Sequence, residues 1–252
     1  MSISLILLAA GNSVRFQSKT PKPYHKLGSK SLLEISLLKM RQLKEIKNII
    51  IVINKGHKKY IKNLGVKKIK LVYGGATRKD STYIALKWLI KQKKISKVLI
   101  HDVARPNFSI KLIKSIIKNS KNNKSVIPVL KINDALKEKL NNKKIINKSR
   151  EKFFTTQTPQ CFNLKEIFNL HNKKNAKYID DDLSLNTNLS NVSLIPGEKS
   201  NFKITDQNDF NDLKNFYKTK TSVGLGFDVH RLVEKRVLML GGIKIESKLG
   251  TL

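Results

Sequence analysis

Small residues and two cations follow the first apolar run of the chain. The run SLILLAA leads into Gly11, and Arg15 and Lys22 come next in the stretches SVRF and TPKPY. Small residues let backbone N–H groups approach phosphate oxygens closely, and fixed cations beside them attract negative charge. An ordinary strand–turn–helix corner with surface cations has the same composition, and neither GxxxxGK[ST] nor GxGxxG is present. This stretch alone therefore leaves phosphate binding and a structural corner equally open.

A second candidate stretch is VLIHDVARP. Its apolar run places Asp102 where a buried strand ends, and Arg105 follows shortly afterwards. A carboxylate there can hold sugar hydroxyls or a metal ion, and Arg105 can orient it. The structural alternative is a helix cap or an Asp–Arg pair. The position favours function, because ligands of open α/β sheets bind outside the carboxyl ends of the strands.

Three further stretches carry polar groups at turns. GGATRKDS contains Gly75 and Ser81, TTQTPQCF contains Thr158 and follows Arg150, and SNFKITDQNDF contains Lys203. Each stretch alone is also typical of a turn, a helix cap or a surface lysine. The same holds for the acidic stretch IDDDLSL, whose carboxylates are typical of a helix N-terminus.

Elements that would position these groups are indicated by hydrophobic periodicity. Short, nearly unbroken apolar runs predict buried strands over residues 3–8, 49–53, 69–73, 98–100 and 126–129. Helical spacing predicts helices over residues 33–44, 83–90 and 112–117. Strand–helix alternation of this kind predicts a three-layer α/β fold with a mostly parallel sheet.

The polar segment 137–154 interrupts that alternation. Asn141 and Asn142 form a turn signal between two short arms, so the segment is either a projecting hairpin that embraces a partner subunit or a solvated loop. Beyond it we expect a helix over 164–170, a strand over 192–195 and a helix over 207–217. A polar linker, 218–221, then leads into a new strand-like run, SVGLGFDVHR.

Composition limits the class of protein. The 252 residues include 51 Lys and Arg, which give a formal net charge of +33. The lysines are spread over almost every segment without an RNA-binding aromatic signature, so we expect no specific nucleic-acid partner, although a basic nucleic-acid-binding protein is kept as an alternative. A single cysteine, Cys161, and the absence of a signal peptide or a 20-residue apolar span predict a cytoplasmic protein with no membrane segment.

Taken together and in this order, the motifs resemble those of the 2-C-methyl-D-erythritol 4-phosphate cytidylyltransferases of non-mevalonate isoprenoid synthesis, over residues 2–217. The resemblance implies a three-layer Rossmann-like nucleotidyltransferase domain over 1–219 with a projecting β-arm. It implies transfer of CMP from CTP, taken with Mg²⁺, to 2-C-methyl-D-erythritol 4-phosphate, in a homodimer held by the 137–154 arm. A nucleotidyltransferase for a different sugar phosphate or cofactor precursor is the alternative within the enzymes.

The same resemblance implies roles for individual residues. The triphosphate and cytidine would be bound by Ala9, Ala10, Gly11, Gly75 and Ser81. The cations at the reaction centre would be Arg15, Lys22, Lys203 and, from the neighbouring subunit's arm, Arg150. The sugar phosphate would be bound by Asp102, Arg105 and Thr158. Two positions depart from the family pattern, since Ala135 and Asp180 stand where threonines are usual.

The last 33 residues, 220–252, resemble the opening of the 2-C-methyl-D-erythritol 2,4-cyclodiphosphate synthases. Asp228 and His230 would share one face of a strand and match two ligands of a divalent metal, zinc by the mixed ligand set. The histidine expected as third ligand would come after Leu252. We therefore expect 220–252 to be a truncated α+β fragment, poorly ordered and without cyclodiphosphate synthase activity.

Overall fold

The computed structural model describes residues 2–61, 69–92, 95–122, 124–140, 144–172, 181–185, 189–218, 224–227 and 229–252. Contacts between Cα atoms divide the chain into two compact units, Met1–Lys214 and Asn215–Leu252.

The described part of the first unit contains the predicted alternation of strands and helices. Its strands are β1 (Ile3–Ala9), β2 (Lys26–Leu27), β3 (Lys30–Ser31), β4 (Ile46–Ile53), β5 (Ile69–Tyr73), β6 (Lys97–Asp102), β7 (Ser125–Lys131), β8 (Leu136–Lys139), β9 (Ile145–Lys148), β10 (Phe154–Thr156), β11 (Gln160–Asn163) and β12 (Val192–Pro196). Its helices are α1 (Leu32–Arg41), α2 (Arg78–Leu89), α3 (Ile110–Asn119) and α4 (Leu164–Asn172), and α5 (Gln207–Lys218) begins in this unit.

Eight of these strands form the central sheet. Their order is β10-β7-β11-β6-β1-β4-β5, and β12 pairs with β7. The strands β6, β1, β4 and β5 run parallel to their neighbours within that group, and β12 runs parallel to β7, whereas β10 and β11 are antiparallel to the strands they contact. The predicted mostly parallel sheet is confirmed.

Apolar side chains on both faces of the sheet account for its three layers. Successive side chains of a strand point to opposite faces. In β1, Ile6 packs in the same core cluster as helices α2 and α4, while its neighbours Leu5 and Leu7 are equally buried on the opposite face. A strand covered on both sides must be apolar throughout, which is why β1 reads as a continuous run in the sequence.

Helix α2 starts at a capping box that fixes the position of its first turn. The Thr77 side chain accepts a hydrogen bond from the backbone N–H of Asp80, and the Asp80 carboxylate accepts from the Thr77 backbone N–H at 3.0 Å. Two of the otherwise unpaired N–H groups of the helix start are satisfied in this way. The box places Arg78 and Ser81 in the first turn, next to the ends of β1 and β6.

Of the two alternatives for the segment 137–154, the described strands β8 and β9 fit the hairpin, while Arg150–Lys152 is a 3-10 helix and Phe154 begins β10. Strands β8 and β9 pair antiparallel from Leu136 opposite Lys148 to Lys139 opposite Ile145. The predicted turn residues Asn141 and Asn142 lie outside the described residues. Ala135, which stands where a threonine is usual, is exposed just before β8, and Asp180 also lies outside the described residues.

The second unit is built from short strands: β13 (Leu232–Glu234), β14 (Leu238–Leu240), β15 (Ile243–Ile245) and β16 (Leu249–Thr251). β13 pairs with β16 and β14 pairs with β15, all antiparallel. Large apolar side chains of this unit, such as Leu225 and Phe227, are fully or almost fully exposed, at 101% and 90%. The expected poor order of residues 220–252 stays a prediction.

Candidate active site

A cavity of about 430 Å³ lies at the carboxyl ends of β1 and β6 in the first unit. Its walls come from the loop after β1, the start of α2, the end of β6 and two chain segments that carry lysines. Eight predicted site residues line it: Ala9, Ala10, Gly11, Lys22, Gly75, Ser81, Asp102 and Lys203. The structure thus brings together residues that are up to 194 positions apart in the sequence, from Ala9 to Lys203.

The loop after β1 leaves open space for a ligand beside its backbone. A Cβ atom built on Gly11 would meet no other atom within 4 Å. Two residues further on, Ser13 adopts a left-handed conformation with φ of 56°, and its hydroxyl accepts a hydrogen bond from the Lys22 backbone N–H at 3.1 Å. The hydrogen bond ties the small-residue loop to the segment that carries Lys22.

Lys22 is the cation at the centre of the basic cluster. Its ammonium group donates a hydrogen bond of 2.6 Å to the carbonyl of Ile204, next to Lys203. Burial, and then the positive charges of Lys203 and Arg15, lower the pKa of Lys22 to about 8. The charges of Arg15 and of the distant Lys203 thus both act on Lys22. Such a concentration of positive charge attracts a polyanion.

The titration of Lys22 gives a testable pH dependence. A lysine is charged below its pKa, so the cluster loses one positive charge as the pH rises through about 8. We expect kcat/KM for the nucleotide to fall with increasing pH over that range, because this parameter reports the free enzyme. In Lys22→Arg, whose guanidinium stays charged, the decline should move to higher pH. An unchanged pH profile in Lys22→Arg would show that another group causes the decline.

Asp102 holds the two halves of the cavity together. Its carboxylate accepts from Arg78 Nε at 3.1 Å and from Lys203 Nζ at 2.8 Å. Burial alone would raise the pKa of Asp102, but the Arg78 and Lys203 cations hold it well below its usual range. The residue is therefore a carboxylate at neutral pH, and it fixes one cation on each side of the cavity.

Arg78 is a lining residue that the sequence analysis missed. Its Nη2 donates to Asp182 at 2.8 Å, whereas its buried Nη1 has no hydrogen-bond partner among the described residues. In a chain with 51 Lys and Arg, an arginine in GGATRKDS carries no distinguishing signal. The T-x-x-D spacing of the capping box is the one local pattern that places this arginine in the first turn of a helix.

Arg105 and Thr158 lie behind the cavity and do not line it. Arg105 donates to the carbonyls of Asn201 at 3.0 Å and Thr156 at 3.3 Å. The Thr158 hydroxyl accepts from the Asp102 backbone N–H at 3.0 Å. Both residues thus support the segments that carry Asp102 and Lys203, and their predicted contact with the sugar phosphate stays a prediction.

Arg15 and Arg150 also lie outside the cavity wall. Arg15 belongs to the 3-10 helix Val14–Phe16 and acts on Lys22 through its charge. Arg150 donates to the carbonyl of Asn133 and lines a different cavity, of about 390 Å³, with Lys131 and Phe153. Within one chain Arg150 is thus not at the cavity of Lys22, and its predicted contact with a neighbouring subunit stays a prediction.

Gly74 tests how tightly the cavity wall is packed where Ala10 and Ser81 meet. A Cβ atom there would lie 2.6 Å from both Ala10 Cβ and Ser81 Oγ. We expect Gly74→Ala to lower the free energy of unfolding by about 1–3 kcal/mol, since two wall elements must move apart, and to weaken nucleotide binding. Gly56→Ala is the control, because its Cβ would meet one atom, at 3.6 Å. Urea unfolding of both variants makes the comparison, and equal stabilities would contradict the expected clash.

Clusters of metal-binding side chains and membrane-spanning helices were both sought in the described part of the chain. No group of three or more His, Cys, Asp or Glu side chains in the described ranges is placed to hold a metal ion. Asp228 lies outside the described residues, so its pairing with His230 as zinc ligands stays a prediction. In the described part of the chain, every helix is too short or too polar to cross a bilayer.

The parallel strands and the basic cavity at their carboxyl ends are those of a Rossmann-like nucleotidyltransferase. Residues 3–219 match the family model of IspD, 2-C-methyl-D-erythritol 4-phosphate cytidylyltransferase. The chain belongs to this family of transferases.

Curated relatives and solved structures agree with that assignment. The bifunctional enzyme IspD/IspF of Pelagibacter ubique is 43% identical over 254 residues, covering all of this chain and 66% of that protein. The 4-diphosphocytidyl-2C-methyl-D-erythritol synthase of Anaerococcus prevotii superimposes with a TM-score of 0.74 at 31% identity, covering 86% of this chain and 96% of its own. The bifunctional IspDF of Campylobacter jejuni gives a TM-score of 0.71 at 28% identity, covering 100% of this chain and 65% of its own. The chain thus spans about two thirds of the length of these bifunctional relatives.

Proposed function

We propose that this chain transfers CMP from CTP to 2-C-methyl-D-erythritol 4-phosphate, releasing pyrophosphate and 4-CDP-2-C-methyl-D-erythritol. The observation that carries the proposal is the convergence of Lys22 and Lys203 on the cavity that the small-residue loop after β1 also lines. Family membership supports the choice of nucleotide and of sugar alcohol phosphate.

The chemistry needs charge neutralisation and no general base. The attacking group is an oxygen of the substrate's own phosphate, which is largely dianionic at neutral pH because its second pKa is near 6. That oxygen bonds to the α-phosphorus of CTP, and the bond from the α-phosphorus to the bridging oxygen breaks as pyrophosphate leaves. The barrier is the approach of two anions, which fixed cations lower by positioning and by stabilising the developing charge.

The two substrates would occupy distinct places in the cavity. The triphosphate would lie beside the backbone of Ala9, Ala10 and Gly11, near Lys22, and the base would lie against Gly75 and Ser81. Arg78 lines the same wall. Lys203, held by Asp102, would receive the phosphate of the sugar alcohol.

Magnesium is proposed to enter with CTP. The cavity offers Asp102, a carboxylate already paired with two cations. One carboxylate is enough for an ion that takes most of its ligands from the triphosphate and water, as Mg²⁺ commonly does. When bound, the ion would neutralise charge on the leaving pyrophosphate. We expect EDTA to abolish turnover and to weaken CTP binding in calorimetry; binding and turnover that survive EDTA would contradict this role.

We further propose a cytoplasmic homodimer in which the arm delivers Arg150 to the partner's site. The hairpin β8–β9 and the position of Arg150 outside its own chain's cavity support this arrangement, and the buried free thiol of Cys161 suits a reducing compartment. Mixing Lys22→Ala with Arg150→Ala should restore activity through mixed dimers, because one of their two sites has both residues. A mixture that stays as inactive as its components would contradict delivery across the dimer.

A nucleotide screen tests the proposed function. Pyrophosphate release in the presence of 2-C-methyl-D-erythritol 4-phosphate should be fastest with CTP. Preference for UTP or GTP would indicate a nucleotidyltransferase of another specificity, and absence of turnover with tight, steeply salt-dependent nucleic-acid binding would indicate the non-enzymatic alternative. Gly11→Ala sharpens the screen: its Cβ meets no protein atom, so we expect unchanged folding but weaker CTP binding.

A further inference from the structure

The segment that carries Lys203 has no regular secondary structure. Residues 197–206 lie between strand β12 and helix α5, and none of them belongs to a helix or a strand. Backbone hydrogen bonds fix the segment at two points, since Gly197 N–H and Ile204 N–H each donate to a carbonyl at 2.8 Å. The turn between these points has no sheet or helix to hold it, so its attachment to the rest of the fold depends on side chains.

Gln157 holds this turn with both ends of its side-chain amide. Its Oε1 accepts from the Glu198 backbone N–H at 3.0 Å and from Asn201 Nδ2 at 3.4 Å. Its Nε2 donates to the Glu198 carbonyl at 2.8 Å and to the Asn201 carbonyl at 3.2 Å. A backbone N–H only donates and a carbonyl only accepts, so these partners determine which end of the amide is oxygen. Gln157 is 3% exposed and Asn201 is 0% exposed, so water does not compete for these bonds.

Gly197 shows how closely Gln157 packs against the segment. A Cβ atom built on Gly197 would lie 2.5 Å from Gln157 Oε1 and 3.1 Å from the Val129 carbonyl oxygen. Any side chain at position 197 would therefore displace the Gln157 amide from its hydrogen bonds or move the segment that it holds.

The next residue, Thr158, holds the partner of Lys203. The Asp102 backbone N–H donates to Thr158 Oγ1 at 3.0 Å, and Lys203 Nζ donates to Asp102 Oδ2 at 2.8 Å. Two consecutive residues thus hold the two members of one ion pair, Gln157 through the turn before the cation and Thr158 through the backbone of the carboxylate. The Lys203 side chain is 40% exposed and lines the cavity, whereas Gln157 does not line it. Any effect of Gln157 on a substrate must therefore pass through the segment of Lys203.

We propose that Gln157 is a positioning residue that sets where the Lys203 ammonium lies in the cavity, and thereby how well the phosphate of the sugar alcohol binds. This inference rests on the proposed function, which assigns that phosphate to Lys203. The competing account is a purely structural role, in which loss of Gln157 lowers the amount of folded enzyme and leaves its KM values unchanged.

The test is KM for 2-C-methyl-D-erythritol 4-phosphate at saturating CTP, because KM does not depend on the fraction of enzyme that is active. Gln157→Met keeps a side chain of similar length and removes the hydrogen bonds to the turn. We expect this variant to raise KM about tenfold, since a displacement of about 1 Å in a group that positions substrate can cost up to about 100-fold.

Gln160→Met is the matched control. Gln160 is the second glutamine of TTQTPQCF and is 0% exposed, but its Nε2 donates to Asp181 Oδ2, at 2.7 Å. The control therefore also loses a buried amide, without loss of a bond to the turn before Lys203, and should keep KM within about twofold of the wild type. An equal rise of KM in both variants would overturn the positioning role.

A double-mutant cycle with Lys203→Ala separates the claims. If Gln157 acts through the ammonium group of Lys203, Gln157→Met should change KM by no more than about twofold once that group is absent. A tenfold rise in both backgrounds, or no rise in the wild-type background, overturns the positioning role while the proposed function stands.

Two further outcomes complete the test. If Lys203→Ala itself leaves this KM unchanged, or the wild type does not turn over the sugar alcohol phosphate, the proposed function fails and this inference fails with it. Should Gln157→Met be insoluble, Gly197→Ala decides, because its Cβ displaces the same amide. An unchanged KM in Gly197→Ala would then overturn the proposal.

Discussion

Lys22→Ala is expected to lower kcat by about 10²–10³-fold with CTP, the range seen when one preorganised electrostatic contact to a transition state is removed. The physical reason is the position of the ammonium group between the small-residue loop and Lys203, where both anions must approach. The measurement is pyrophosphate release at saturating CTP and sugar alcohol phosphate.

The melting temperature is the control measurement for Lys22→Ala. Burial, Lys203 and Arg15 lower the pKa of Lys22, so the charged ammonium is disfavoured by folding at neutral pH. Lys22→Ala should therefore keep its melting temperature or gain a little, while Lys26→Ala, at an exposed position in β2, should change neither property. Near-normal turnover in Lys22→Ala would refute the assignment of charge stabilisation to this residue.

Asp102→Asn is expected to impair both folding and catalysis. The substitution leaves the Lys203 cation unpaired and removes one of two carboxylates from Arg78. Breaking a buried ion pair costs about 3 kcal/mol of unfolding free energy, and here the carboxylate serves two cations. We expect turnover to fall by about tenfold or more in addition, because both cations lose their fixed positions.

The difference in unfolding free energy between the wild type and Asp102→Asn should shrink as the pH falls. The pKa of Asp102 is held below its unfolded value, so its contribution to stability is fully present above about pH 4 and is lost as the pH falls further. Urea unfolding at pH 7 and at successively lower pH should show the wild type and the variant converging. A stability difference that stays constant down to acid pH would show that the carboxylate charge is not what stabilises this region.

The central strand β1 was predictable because burial on both faces leaves a direct record in the sequence, and β1 exceeds its predicted range by one residue, Ala9. Strand β5 has the predicted bounds, Ile69–Tyr73, but it was wrongly predicted to be buried, because it lies at the edge of the sheet with Leu71 and Tyr73 exposed. The prediction missed β10 and β11, which are short and lie in TTQTPQCF. Their pairing with β7 and β6 depends on strands more than 20 positions away, and local periodicity does not carry that information.

The candidate site was predictable in part, for a related reason. Lys22, Asp102 and Lys203 stood in motifs with a recognisable order, and all three line the cavity. Arg78 was missed because its environment is set by Asp102 and Asp182, whose side chains meet it only in the folded chain. For Arg105 the motif was recognised, but its contacts with the carbonyls of Asn201 and Thr156 could not be read from the sequence, and its contact with the sugar phosphate stays a prediction.

A crystal structure of the chain with CTP and Mg²⁺ tests the central claim most directly. Our account predicts the triphosphate within hydrogen-bonding distance of the backbone around Gly11 and of Lys22 Nζ, with cytosine against Ser81 and Arg78. Electron density for CTP at another surface, or a triphosphate remote from Lys22, would contradict it.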